Sequence, residues 1–300
     1  MYSEYATVRN NVALPKSSLV TISASGSGQV CNTFGVHKLL PSVQSLYNSG
    51  DLSFFANIGV LQQPVTDKEK YREQNKKTAL FSHNTQQEEI NSVDIYDDTA
   101  GIGVCGRMAD VLSLNGYSPG TVSVAGGAPA LVSKNSPLLV VNPFGYEEFN
   151  PISWEKVSRT HIKEINKATA LGSSVFGEVW SEKIFQSISE NDLLFSELSS
   201  VSLTETFANE NLSRQMGSIA KLIKSREARS TDRDIFYAEV TGFDTHIFQE
   251  EELNLRLNEI NAALDKFVKE MKVQGLWNDV AVVVVSEFGR TLVSNTGNGT

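Results

Sequence analysis

Only two cysteines, Cys31 and Cys105, occur in 300 residues. They lie far apart and make no metal-ligand spacing, which excludes a zinc finger and a disulfide-stapled scaffold. Two separate thiols are favoured over a single disulfide. Long apolar runs are missing as well. No stretch approaches the ~20 apolar residues of a membrane helix, so no membrane span is expected. No Lys/Arg block is present either, and 26 Lys and Arg face 35 Asp and Glu, a net charge of −9. So acidic a chain repels a phosphate backbone, and no nucleic-acid partner is expected. The opening MYSEYATVRN has neither the basic start nor the apolar core of a signal peptide. Repeats, low-complexity tracts and a Gly-x-Ser-x-Gly elbow are absent, the last being the main sequence sign of a serine esterase.

What is present is an ordinary globular composition, 40% apolar and 20% charged, with enough chain for a sizeable core. Nothing in it sets an oligomeric state. The clearest unit lies near the C-terminus. Leu253, Leu257, Ile260, Leu264, Phe267 and Met271 step by four or three and predict one helix, with Gly275 as its left-handed stop. Val280 to Val285 is apolar without alternation and reads as a strand buried on both faces. Ile235 to Val240 reads as a strand before the helix, giving a βαβ unit with a right-handed crossover. Leu212, Met216, Ile219 and Ile223 predict another helix.

Toward the front, Val36 to Tyr47 predicts a helix closed by Asn48-Ser49-Gly50, followed by a strand over Leu52 to Ile58. His37 falls in that helix or its first turn and, like His161, is read as structural or surface. Thr66 with Glu69 reads as a capping box, and a further helix start lies at Ser82 to Glu88. Short strands are expected at Thr121–Val124 and Leu138–Val141. Residues 145–205 mix helical signals with Ser-rich loops and read as an insertion or lid. The chain is otherwise one α/β domain over 1–300. It ends in a loop directly after its most apolar strand and reads as incomplete at both ends.

In open α/β sheets, ligands bind beyond the carboxyl ends of the strands. The two C-terminal strands end in Gly242-Phe243-Asp244-Thr245-His246 and Ser286-Glu287-Phe288-Gly289-Arg290. If the strands are neighbours, Asp244, His246 and Glu287 meet on one rim as a partial shell for a divalent ion. Arg290 adds a planar fork suited to phosphate or sulfate. Plainer roles compete with each. Asp244 can cap the next helix, His246 can be a structural histidine, and Glu287 can pair with Arg290. Ser82 opens a helix, where backbone N–H groups favour an anion. It can be a nucleophile there, or simply an N-cap.

The paired C-terminal motifs, with Asn295 and Gly297 to Thr300 after them, resemble the DUF1501 family, placed in the alkaline phosphatase/sulfatase-like superfamily. Ser82-His83 with Gln87, and Gly103 with Gly106-Arg107, resemble further family segments. The resemblance implies a three-layer sandwich, a mainly parallel sheet between helices. It implies divalent metal, Zn²⁺, Mn²⁺, Mg²⁺ or Ca²⁺, at the strand ends. Asp244, His246 and Glu287 would be metal ligands, and Ser82 the nucleophile or its neighbour; Arg290, read from its own planar fork, would stabilise an oxyanion. A small anionic ester would be the substrate, and the parent protein would be exported and extracytoplasmic. Position 84 is Asn where the family usually has Phe. An early Asp and a late Asp-His-Gly of the family have no counterpart in 1–300. Two functions follow: a metal-dependent hydrolase of phosphate or sulfate esters, or a non-catalytic exported binding or assembly protein with the same fold. A Ser-His-Asp esterase is disfavoured, because Ser82 and His83 are adjacent and cannot serve each other well.

Overall fold

The computed structural model describes residues 2–26, 28–56, 58–67, 69–76, 79–80, 82–94, 96, 101–143, 156–167 and 174–299. Helix α1 (Tyr2–Arg9) leads into an antiparallel pair, β1 (Leu19–Ser23) and β2 (Thr33–His37). Then come α2 (Pro41–Asn48), the single turn α3 (Tyr71–Gln74), α4 (His83–Ser92) and α5 (Val104–Leu114). The second half holds β3 (Pro119–Ser123), β4 (Leu138–Val140), α6 (Lys156–Lys167), α7 (Val175–Ser200), α8 (Asn211–Lys224), β5 (Arg233–Tyr237) and α9 (Gln249–Val273). A parallel three-stranded sheet runs in the order β4-β3-β5, with Thr121 opposite Leu138 and Ile235. This is a mixed α/β architecture, as the alternating pattern predicts.

Periodicity predicts α8 and α9, whereas α7, the longest helix described, falls in the 145–205 segment that reads as an insertion or lid. Helices α8 and α9 bury Ile219, Leu222 and Ile223 against Phe267 and Met271, and Val122, Val124, Leu194 and Leu198 complete the main core. Gly275 has φ +72°, and the Leu276 N–H closes the end of α9 on the Met271 carbonyl at 2.9 Å. A smaller cluster joins Ile22, Val36 and Val43, with Leu264 of α9 packed against it. Two polar ties fasten α9 to its neighbours. Asn261 accepts the Ser42 N–H at 2.9 Å, and Glu259 accepts the Leu212 N–H at 3.0 Å. Each satisfies a donor in the first turn of a helix that otherwise lacks a side-chain cap. Cys31 and Cys105 are separate thiols, and burial raises the pKa of Cys105.

Several expected elements come out differently. Val280 to Val285 forms no strand, and Val283 and Val284 are 81% and 80% exposed. The βαβ unit therefore stops at β5 and α9. Apolar composition specifies an extended backbone, but a strand also needs a neighbour for its N–H and C=O groups, and no neighbour pairs with this run among the described residues. Leu52 to Ala56 is likewise irregular, with Phe55 82% exposed. The front helix starts at Pro41, a favoured first position, so Val36 and His37 belong to β2. Thr66 caps nothing. Its hydroxyl accepts from the Gln74 amide, while Asp67 holds the Glu69 N–H at 2.9 Å. Within 145–205, residues 145–155 and 168–173 lie outside the described set. Helices α6 and α7 pack on each other, and the end of α7 reaches the main core through Leu194 and Leu198.

One buried charge tests the packing of α9. Glu270 is 0% exposed and accepts the N–H groups of Thr204 and Glu205 at 2.9 and 2.8 Å. Burial alone would raise its pKa, but the Gln274 amide, the two backbone donors and the Lys224 charge outweigh it and lower the value. A carboxylate with a lowered folded-state pKa stabilises the fold above its unfolded pKa and loses that contribution as pH falls through the folded value. Glu270→Gln is therefore expected to cost about 1–3 kcal/mol near neutral pH, because two backbone donors lose the charged, buried acceptor. The deficit should shrink at low pH. Chemical denaturation across pH 3–7 measures both.

Candidate functional site

Two loops and one helix start meet beyond the carboxyl end of β5. The first loop, after Tyr237, is pinned early. The Gln215 amide, buried in α8, donates to the Glu239 carbonyl and accepts the Glu239 N–H, both at 2.8 Å. The chain then turns at Gly242, whose φ of +95° suits glycine, and a Cβ there would stand 2.8 Å from Arg256 Nε. This turn presents Asp244 and His246, with Thr245 buried between them. The second loop brings Glu287, Phe288 and Arg290 after the valine run. Its nearness to β5 shows in Tyr237, whose pKa is raised by burial first and then by the charges of Glu239 and Glu287.

The helix start is α4, and its first residue, His83, links the two loops. His83 Nδ1 lies 2.9 Å from Glu287 Oε1, and Nε2 lies 3.5 Å from Asp244 Oδ1. His246 Nε2 approaches the same Asp244 oxygen at 2.9 Å, and Arg290 Nη2 pairs with it as well. Phe288 forms the floor: its ring centroid is 4.8 Å from that of His83 and 5.6 Å from the Arg290 guanidinium carbon. One carboxylate oxygen thus gathers two imidazoles and a guanidinium. The site is open to solvent, with Asp244 half exposed and Glu287 about a quarter exposed.

Asp244, His246, Glu287 and Arg290 therefore stand together, as the two motifs predict. The plainer roles fare poorly. Asp244 does not cap α9, whose N-cap position is Phe248 without a side-chain cap, and Glu287 bonds His83 while Arg290 pairs with Asp244. Ser82 occupies the N-cap position of α4, yet its hydroxyl meets Thr85 Oγ1 at 3.3 Å and caps no backbone N–H. His83 was the residue sequence reasoning passed over. Its signal was slight, a histidine beside a candidate serine, more than 150 residues from its partners.

Carboxylate oxygens and imidazole nitrogens are the donor types that Zn²⁺ and Mn²⁺ take. Asp244–His246 and His83–Glu287 both stand at 2.9 Å, the spacing of a hydrogen-bonded pair. Among the described residues, however, no three His, Cys, Asp or Glu side chains already surround one point. His83 and Arg290 hold the carboxylates instead.

The turn at Gly103-Val104-Cys105-Gly106-Arg107 supports this helix. A Cβ on Gly103 or Gly106 would strike the carbonyls of Pro129, Ala130 or Val132, so both glycines permit the close approach of α5. Arg107 donates to Ser92 O at the far end of α4. Residues 202–300 match the family model DUF1501. That family is described as a protein of unknown function. No curated protein and no solved structure matches the chain. The DUF1501 segment contributes Asp244, His246, Glu287 and Arg290, whereas Ser82 and His83 come from outside it.

Gly242→Ala tests how closely the first turn is set. The guanidinium of Arg256 can move, but the left-handed backbone cannot accommodate a Cβ without strain of about 1–2 kcal/mol. A thermal melt should show that loss, and amide shifts in an NMR spectrum should move at 242–246 and leave β3 and β4 unchanged.

Proposed function

We propose that the protein is a metal-dependent hydrolase of phosphate or sulfate esters, with an alkaline phosphatase-like sandwich as its parent fold. The observation that carries this reading is the convergence of Asp244, His246, Glu287, His83 and Arg290 beside the start of α4. Asp244, His246 and Glu287 would hold the divalent ion. When bound, such an ion supplies Lewis acidity and lowers the pKa of a coordinated nucleophile. Ser82, at the N-cap position of α4, would be the nucleophile that attacks phosphorus or sulfur, and the first-turn N–H groups would favour the anion it approaches. Arg290 offers a planar two-donor face to a developing oxyanion. His83 would hold Glu287 beside Asp244. Export of the protein belongs to the same proposal.

Mn²⁺ or Zn²⁺ with a chromogenic phosphate or sulfate ester provides the test. Binding by calorimetry together with metal-dependent turnover supports the reading. Ser82→Ala is then expected to lower kcat at least ~10²-fold while leaving metal affinity near wild type. Asp244→Ala should lower both. Tight metal binding without turnover of either ester would point to the exported binding or assembly protein instead, and no metal binding at all would remove the hydrolase.

A further inference from the structure

We propose that Asn295 is a positioning residue, which holds His246, and through it Asp244, by clasping the 294–299 loop onto the His246 carbonyl. This proposal rests on the metal-site reading given above. Asn295 Nδ2 donates to His246 O at 2.8 Å, while its Oδ1 accepts the N–H groups of Gly297 and Gly299 at 2.8 and 3.0 Å. Its own backbone N–H closes on Gly299 O at 2.8 Å. The side chain thus ties the loop to itself with one end and to the site with the other.

The fit leaves no space for a longer residue at the contact. Gly299 is buried, and a Cβ on it would come within 2.3 Å of the Thr245 carbonyl oxygen and the His246 carbonyl group. Nearby, the Gln249 N–H donates to Asn298 O at 3.2 Å, which fastens the loop to the first residue of α9. Arg9 reaches the carbonyls of Thr291 and Leu292 at 3.1 and 3.2 Å and Gln249 Oε1 at 3.1 Å. The peptide carrying His246 therefore lies under a loop anchored at several points. His246 in turn places Nε2 2.9 Å from Asp244 Oδ1.

The chemistry needs a primary amide. One end must donate to a carbonyl, and the other must accept two N–H groups. Aspartate keeps the acceptor and lacks the donor. Asn295→Asp therefore separates the clasp from the loop's internal bonds, and Asn295→Ala removes both. The added carboxylate of Asn295→Asp would by charge alone strengthen cation binding, so weaker binding in that variant cannot come from charge.

The experiment measures hydrogen exchange and Mn²⁺ affinity for both variants in the full chain. Both are expected to lose protection at the His246–Gln249 amides and to bind Mn²⁺ about 10–100-fold more weakly, the usual loss when a residue supporting a metal ligand is removed. The melting temperature should stay near wild type, because Asn295 is exposed. Wild-type protection and affinity in Asn295→Asp would overturn the proposal, since the loop's own bonds would then suffice. Lost protection with unchanged Mn²⁺ affinity would overturn it too, leaving a purely structural tie. A wild-type protein that binds no Mn²⁺ removes the hydrolase reading, and the His246 ring signal of the metal-free protein then decides. A shifted signal in both variants supports the positioning role, and an unmoved one overturns it.

Discussion

Everything at the candidate site depends on one imidazole lying between two carboxylates. His83 touches Glu287 with one ring nitrogen and approaches Asp244 with the other. It is the first residue of α4, so its position is set by the helix, and the Phe288 ring limits where it can turn. Without it, Asp244 would keep His246 and Arg290, but Glu287 would lose its imidazole partner. The carboxylates come from loops about forty residues apart, neither of which is fixed by a strand after β5. A bridge from a helix supplies the order that the sheet does not.

Fixation of the surrounding loops follows a common pattern, in which side-chain amides and tight glycines replace regular strand pairing. Gln215 holds Glu239 by both its backbone groups, Gly242 makes the turn, and the 294–299 loop lies over His246. Below them, α9 ties the two hydrophobic clusters together, contributing Phe267 and Met271 to one and Leu264 to the edge of the other. Sequence, local turn, packing and site are thereby linked: the glycines allow close approach, the close approach fixes the loops, and the loops present the charged groups to solvent.

Much of this was legible in the sequence. Steps of three and four residues located α8 and α9, because burial on one helix face leaves a periodic trace. The two motifs predict that Asp244, His246 and Glu287 meet, and these residues lie together with His83 and Arg290, though not at the ends of neighbouring strands. Partners were less legible. Val280 to Val285 has the composition of a central strand, yet composition carries no information on whether a neighbour is present. His83 escaped notice for a related reason: its contacts are 161 and 204 residues away in sequence, at Asp244 and Glu287, and no local pattern records them. Pro41 shows a third kind of miss. Apolar spacing ran on through Val36, and only the proline marked where the helix begins.

The central claim is that the rim around Asp244 is a divalent-metal centre of an ester hydrolase. Anomalous diffraction from crystals of the protein grown with Mn²⁺ tests it most directly. The account predicts a peak bonded to Asp244, His246 and Glu287 at roughly 2.0–2.3 Å, with Arg290 displaced from the aspartate. No peak at the rim, with Arg290 and both histidines still gathered on Asp244, would contradict it.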